Sequence, residues 1–277
     1  MTNFGTNTYL VIGKTQIAVI DPGPDDDRHL ERILSHASPS CRISKIFVTH
    51  PHVDHTGLAV RLAHETGADV LAHSGASGAC SKRMRKLAEE FALGGGEGID
   101  REFEPDRRLI DGELTWCDDW SFEAVWTPGH TANHMCYAWR EAGILFSGDH
   151  VMGWSTTVVS PPHGDMGDFM ASLDRLMQRQ DEMLLPGHGG RVLAPVAEIK
   201  AQQLHRRERE AQILHVLSCG LNSVGEIAGR IYSGLPVRLA AAAERTVLAH
   251  LLDLWARERA EAFCCDGLGR PCFRLVD

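Results

Sequence analysis

Four short polar segments of this chain carry side chains of the kinds that bind metal. The densest is His50-Pro51-His52-Val53-Asp54-His55, four ligand-type side chains within six residues. Its spacing lets His50 and His52 face one ion while Asp54 and His55 face a neighbouring one. A lone histidine is ordinarily packed in a core or solvated, whereas four such groups directly after an apolar run call for a cation. Thr127-Pro128-Gly129-His130 and Pro186-Gly187-His188-Gly189 each place a further histidine after a Pro-Gly bend. Ser147-Gly148-Asp149-His150 adds a carboxylate able to bridge. The chemistry natural to two divalent ions in such a set is hydrolysis.

These segments need rigid elements to aim them. Apolar runs at 8–12 and 17–20 flank a Gly-Lys turn and predict a hairpin ending in the strand terminator Asp21-Pro22-Gly23-Pro24. Asp25, Asp26 and Asp27 then open a helix, where negative charge complements the helix dipole rather than binding metal. A strand over 43–48 delivers the chain straight into the His50 segment, and a helix follows over 57–64. Strand, polar loop, helix is how an α/β protein presents a site at its strand ends. Further strands are expected at 69–71, 122–126, 135–139 and 144–146, with a helix over 82–93 that stops at Gly94-Gly95-Gly96.

Beyond residue 190 the texture changes. Residues 198–217, 223–232 and 236–260 carry helical periodicity, and a terminal hairpin is expected from 262–265 and 272–276 around Asp266-Gly267-Leu268-Gly269. Three helices and a hairpin make a small winged-helix-like α+β module, which sets the expected domains at 1–200 and 201–277. Cys264, Cys265 and Cys272 on that hairpin have no zinc-knuckle spacing and are assigned to packing.

Composition narrows the function classes. The chain has 277 residues, 43% hydrophobic and 23% charged, which excludes a disordered chain, a fibre or a disulfide-stapled miniprotein. Fifteen histidines, bunched rather than spread, are the surplus residue. The start Met1-Thr2-Asn3-Phe4 has no basic, apolar signal pattern and no run is long enough to span a bilayer, so a cytoplasmic protein without a membrane partner is expected. Eight cysteines without a repeated C-x-x-C fit reduced thiols. Nothing in the composition specifies an oligomeric state.

The ordered set H-P-H-V-D-H, P-G-H-T, G-D and P-G-H-G resembles the metallo-β-lactamase fold superfamily over residues 5–190. The resemblance implies an α/β fold, a four-layer αββα sandwich with two metal ions at the strand ends. It implies His50, His52 and His130 on the first ion, Asp54, His55 and His188 on the second, and Asp149 bridging. G-T-N-T-Y-L-V, V-I-D-P-G-P, G-D-H-V-M-G-W-S-T-T-V-V and H-R-R-E-R-E-A-Q-I-L are similar to the subfamily with a C-terminal winged helix, which includes a β-lactamase-like endoribonuclease. Those relatives carry a strand before G-T-N-T-Y, so an edge strand is expected to be missing or to precede this chain.

Elementary chemistry agrees with that ligand set. Two divalent ions about 3.5 to 4 Å apart share one hydroxide, lower its pKa towards neutrality and clamp both attacking and leaving oxygens. Asp149 offsets the repulsion between the cations. Asp54, the expected catalytic residue, both ligates and orients the metal-bridging hydroxide. Imidazole and carboxylate without thiolate suit Zn²⁺ and also accept Mn²⁺ or Fe²⁺. His134 is expected either to support the site or to pack in a strand, His150 to line the pocket as a proton donor, and 154–163 to face substrate. His29, His36, His64, His73, His205, His215 and His250 are assigned to surfaces or helix faces.

The leading expectation is a dinuclear hydrolase of a small-molecule ester, thioester or lactone, and the alternative is an endoribonuclease of single-stranded RNA. Charge separates the two. Residues 205–277 hold ten Arg and no Lys against nine acids, net +1, within a chain of net charge −9. Phosphate-contacting domains normally show a basic face, so this balance favours the small molecule.

Overall fold

The computed structural model describes residues 5–264 and 269–276. Its first sheet runs in the order β1 (Tyr9–Ile12), β2 (Gln16–Ile20), β3 (Arg42–Phe47), β4 (Asp69–Ala72), β5 (Arg107–Arg108). β1 and β2 form the expected antiparallel hairpin, and β2 to β5 are parallel. The second sheet comprises β6 (Leu114–Trp116), β7 (Ser121–Trp126), β8 (Met135–Trp139), β9 (Ile144–Gly148) and β10 (Met183–Pro186), hydrogen-bonded in the order β10-β9-β8-β7-β6. Only its β9–β10 pair is parallel.

Two-residue alternation assigns the faces. Ala18, Ile20 and Phe47 point between the sheets and meet Phe122, Tyr137 and Phe146. Ile17, Val19 and Ile46 point outward, onto α1 (Asp27–Leu34) and, beyond the single turn α2 (Val53–Thr56), onto α3 (Ala59–Thr66). Asp26 caps α1 by accepting the His29 backbone N–H, the capping role expected of the acidic run. After α4 (Lys82–Glu90) comes α5 (Met166–Met177), whose Phe169, Leu173 and Leu176 cover Val125, Cys136 and Leu145 on the outer face of the second sheet. Helices, sheet, sheet, helices: the αββα sandwich is complete.

The C-terminal segment contains α6 (Pro195–Ser218), α7 (Val224–Ile231), α8 (Val237–Ala256), β11 (Ala260–Cys264) and β12 (Pro271–Leu275). α7 starts on a reciprocal capping box between Ser223 and Glu226. Ile213, Leu217, Ile227, Leu251 and Phe273 form one core that extends to Met84, Leu87 and Phe91 of α4, while Ile199 at the other end of α6 joins the α5 cluster. The winged helix is therefore joined to the sandwich by shared apolar packing rather than by a flexible tether.

Several boundaries differ from expectation. The helix expected over 57–64 is two pieces, because α2 begins inside the histidine segment. α4 ends at Glu90 rather than at 93, with Phe91 in extended backbone. α8 stops at Ala256, and Glu258 at φ 57 turns the chain into β11, which takes residues expected for the helix end. Cys272 is buried, as packing requires, but disulfide-bonded, which corrects the expectation of reduced thiols. Cys265, the turn residues 266–268 and the start 1–4 lie outside the described residues. Among the described residues no helix is long and apolar enough to cross a membrane.

Candidate metal centre

One edge of the sandwich collects five strand ends. β2 runs into Asp21, β3 into the His50–His55 segment, β7 into the bend before His130, β9 into Asp149 and β10 into His188. Because β9 and β10 are parallel neighbours, Asp149 and His188 leave the sheet side by side. Gly187 permits that proximity: a Cβ there would lie 2.5 Å from Asp149 Oδ1 and 2.7 Å from His55 Cε1.

All seven expected side chains come together. His50, His52 and His130 present nitrogens within 4.8 Å of one another, and so do the ligand atoms of Asp54, His55 and His188. His50 Nε2 lies 2.7 Å and His130 Nε2 3.0 Å from His52 Nδ1. Asp149 stands between the groups, with Oδ2 3.8 Å from His130 Nε2 and 3.3 Å from His188 Nε2, and Oδ1 3.5 Å from His55 Nε2.

The partners of the outward ring nitrogens decide what faces inward. His130 Nδ1 and His188 Nδ1 each contact a backbone carbonyl, of Val158 and Gly5, at 2.9 Å. A carbonyl only accepts, so both Nδ1 atoms carry the hydrogen. His55 Nδ1 donates to Asp21 Oδ2 at 2.9 Å. Thr49 Oγ1 gives its own hydrogen to Asp21 Oδ2 and so accepts from His50 Nδ1 at 3.0 Å. Four Nε2 lone pairs consequently converge on two carboxylates.

Lone pairs facing carboxylates require positive charge between them. His55 Nε2 and Asp149 Oδ1 are buried with no hydrogen-bond partner, as expected of atoms directed at a cation. Without one, protons substitute. Burial disfavours the charged ring of His55, yet Asp21, Asp149 and Asp54 raise its pKa to about 9. Burial likewise opposes His188, but Asp149 and Asp54 hold it at about 10. His52, desolvated and beside His130, is pushed down to about 3 and offers a neutral nitrogen. Burial pushes Asp54 and Asp149 up, but their histidine neighbours outweigh it and hold both well below the usual carboxylate range. The donor set therefore fits divalent cations.

Sequence reasoning missed the residue that anchors this arrangement. Asp21 is 2% exposed, sits at φ 50, and accepts from Thr49 N, Thr49 Oγ1 and His55 Nδ1. Its signal was an acid directly behind a fully apolar strand, where a terminator alone needs no charge. His134 resolves as support: its Nε2 accepts the Asp149 backbone N–H at 3.1 Å. The expectation for His150 is corrected. It turns away from the pocket, fully buried, with its ring 4.5 Å from that of Phe169. His250 lies on a buried face of α8, the helix-face alternative of its assignment.

Over the ligand atoms lies a cavity of about 330 Å³ walled by Thr157, Val158, Ser160 and His163 of the expected substrate loop, by 96–98, and by Ala242 and Arg245 of α8. Gly96, the last of the glycine run, thus borders the cavity, while the helix stop expected of that run is already made at Phe91.

The metallo-beta-lactamase superfamily profile matches residues 1–188, and that of the beta-lactamase associated winged helix domain matches 223–262. A beta-lactamase-like protein 2 homolog of Drosophila melanogaster is 31% identical over 271 residues, 92% of this chain and 83% of that protein. An atrochrysone carboxyl ACP thioesterase of Aspergillus fumigatus is 27% identical over 289 residues, 98% of this chain and 82% of that protein. In structure, a metallo-beta-lactamase family protein of Thermus thermophilus superposes with TM-score 0.78 at 21% identity, covering 98% of this chain and 94% of that one. A fold of this family implies divalent metal ions, and the clustered histidines and aspartates are compatible with them. The chain belongs to the metallo-β-lactamase superfamily, as a metal-dependent hydrolase that carries a C-terminal winged helix.

Proposed function

We propose that this protein is a dinuclear hydrolase of a small-molecule acyl ester, with a thioester as the favoured substrate and a lactone within the same chemistry. The observation that carries the reading is the position of Asp149 between the two sets of ring nitrogens, with Oδ2 near His130 of one and His188 of the other and Oδ1 near His55. His50, His52 and His130 would hold one ion, Asp54, His55 and His188 the other, with Asp149 shared. Zn²⁺ suits these donors, and Mn²⁺ or Fe²⁺ would be accepted. Such ions, when bound, supply Lewis acidity that activates water at neutral pH and polarises a carbonyl.

The chain's own groups do the rest. Asp54 is held at Oδ2 by the Thr6 hydroxyl at 2.7 Å and borders the cavity, where its carboxylate orients attacking water. Asp21, through His55, and the Val158 and Gly5 carbonyls, through His130 and His188, keep the imidazoles in one tautomer. The 152–163 strap and α8 roof the cavity and limit water around the reacting carbonyl. A thioester is further supported by the thioesterase relative that aligns over nearly the whole chain.

Cleavage of single-stranded RNA is the second reading, favoured by the winged helix itself. Against it, Arg245, the arginine that lines the cavity among the described residues, is committed to internal contacts: it donates to Ser160 Oγ and to the carbonyls of Leu93 and Gly94. The test is metal-dependent turnover of an acyl-thioester panel beside a short unstructured RNA. Thioester turnover lost on chelation is expected. RNA cleavage without acyl turnover, abolished in Asp149→Ala, would reverse the assignment.

A further inference from the structure

Behind the substrate strap lies a second cavity, of about 300 Å³. It shares Met152, Thr157, Val158 and Ala242 with the cavity over the ligand atoms. Trp154 from the strap, Leu235 and Leu239 before and on α8, and Ala243 give it an apolar side, to which Ser155, Thr156 and Thr246 add hydroxyl groups. Set against the reacting centre across that shared wall, a pocket of this kind suits the far part of an acyl chain.

One wall residue is a buried cation. Arg206 of α6 borders this cavity and is 2% exposed. Its guanidinium donates to the Thr157 carbonyl and lies 5.3 Å from the centroid of the Phe169 ring, while its Nε is buried without a partner. None of the carboxylates among the described residues pairs with it. Burial, against a small opposing influence of Tyr232, lowers its pKa to about 10, which leaves it charged at neutral pH. The Nδ1 of His205, on the same wall, is also buried and unpartnered. A desolvated guanidinium facing no acid is costly, and buried arginines are otherwise nearly always paired. Compensation from a ligand removes that cost.

We propose that the second cavity receives the end of the substrate's acyl chain and that Arg206 binds a carboxylate carried there, so that the preferred substrates are acyl esters ending in a carboxylate. The proposal rests on the acyl-ester reading above and narrows its substrate class. A charge-assisted contact of this kind is worth about 10- to 100-fold in affinity.

Adipate and hexanoate test it on the metal-loaded full chain, because both present one carboxylate to the metal centre and differ only at the far end. Followed by calorimetric titration, adipate is expected to bind about 10- to 100-fold more tightly than hexanoate. Arg206→Met should bring the two within about twofold, and Arg206→Lys should restore part of the preference. If Arg206→Met does not fold, Ala243→Leu, which fills the cavity and keeps the charge, should weaken both ligands and shrink their difference. Adipyl and hexanoyl thioesters report the same ratio in kcat/KM, and a merely structural role for Arg206 would lower both by one factor. Equal binding of adipate and hexanoate by the unaltered chain, or a preference that survives in Arg206→Met, overturns the anion site. An intact preference without any thioester turnover overturns the acyl-ester reading alone.

Discussion

Asp21 touches no candidate ligand atom, yet its replacement should empty half of the metal centre. Its carboxylate accepts from Thr49 N at 2.8 Å, Thr49 Oγ1 at 2.8 Å and His55 Nδ1 at 2.9 Å. In Asp21→Asn one oxygen becomes an NH₂ group of the same shape. If Oδ1 keeps the Thr49 amide, the new donor faces two groups that were donors themselves. Thr49 Oγ1 can turn to accept, but His55 must move its hydrogen from Nδ1 to Nε2. That hydrogen then occupies the direction in which Nε2 offers its lone pair, towards Asp54 and Asp149 at 3.5 Å each. Removing such supporting partners typically costs 10- to 100-fold in metal affinity, about 1.4 to 2.7 kcal/mol. Competition against a graded chelator series, with metal content measured by mass spectrometry, should show one ion per chain released at lower chelator strength and the other retained. Two ions held with unchanged affinities in Asp21→Asn would refute the tautomer argument.

Other outcomes follow from the same contacts. Asp149→Ala should reduce turnover by at least about a thousandfold while the fold survives, since its oxygens serve both nitrogen sets; near-normal rates would mean that one ion suffices. Metal-free protein should be most stable near neutrality. His55 and His188, raised to about 9 and 10, contribute stability that is complete below their unfolded value of about 6.5 and is lost as pH rises through 9 to 10. His52 and His250, desolvated and lowered to about 3, contribute stability that is lost as pH falls from about 6.5 towards 3. Thermal melts across pH should therefore fall on both sides, and added metal should remove the alkaline loss, because cations replace those protons. Gly95→Ala should cost about 1 to 3 kcal/mol of thermal stability, as φ is +86 there and a Cβ would lie 2.3 Å from Arg245 Nη2 and 2.6 Å from the Pro161 carbonyl; an unchanged melt would show that the rim is plastic. A fragment ending at Gly190 should aggregate rather than turn over substrate, because it bares Met84, Leu87 and Phe91.

The candidate metal centre was legible from the sequence as a cluster because it consists of short runs at strand ends, where histidines and aspartates are brought together. What supports it was less so. Asp21 reads as a turn residue until the β2–β3 pairing brings it beside Thr49, and His150 reads as a pocket residue until Phe169 claims its ring. Sheet edges were hard for a different reason: β5 has two residues and β6 three, too few to display alternation. α5 was recoverable, since Phe169, Leu173 and Leu176 keep helical spacing behind the Asp165 cap, but Gly164 and Gly167 disguise its start as loop. The winged helix was visible as three periodic segments, whereas its shared core with α4 is a tertiary fact that periodicity does not encode.

Anomalous diffraction from zinc-soaked crystals tests the central claim most directly. Two peaks about 3.5 to 4 Å apart are predicted, one within bonding distance of His50, His52 and His130, the other of Asp54, His55 and His188, with Asp149 between them. A single peak at full zinc occupancy, or two peaks lying away from these side chains, would contradict it.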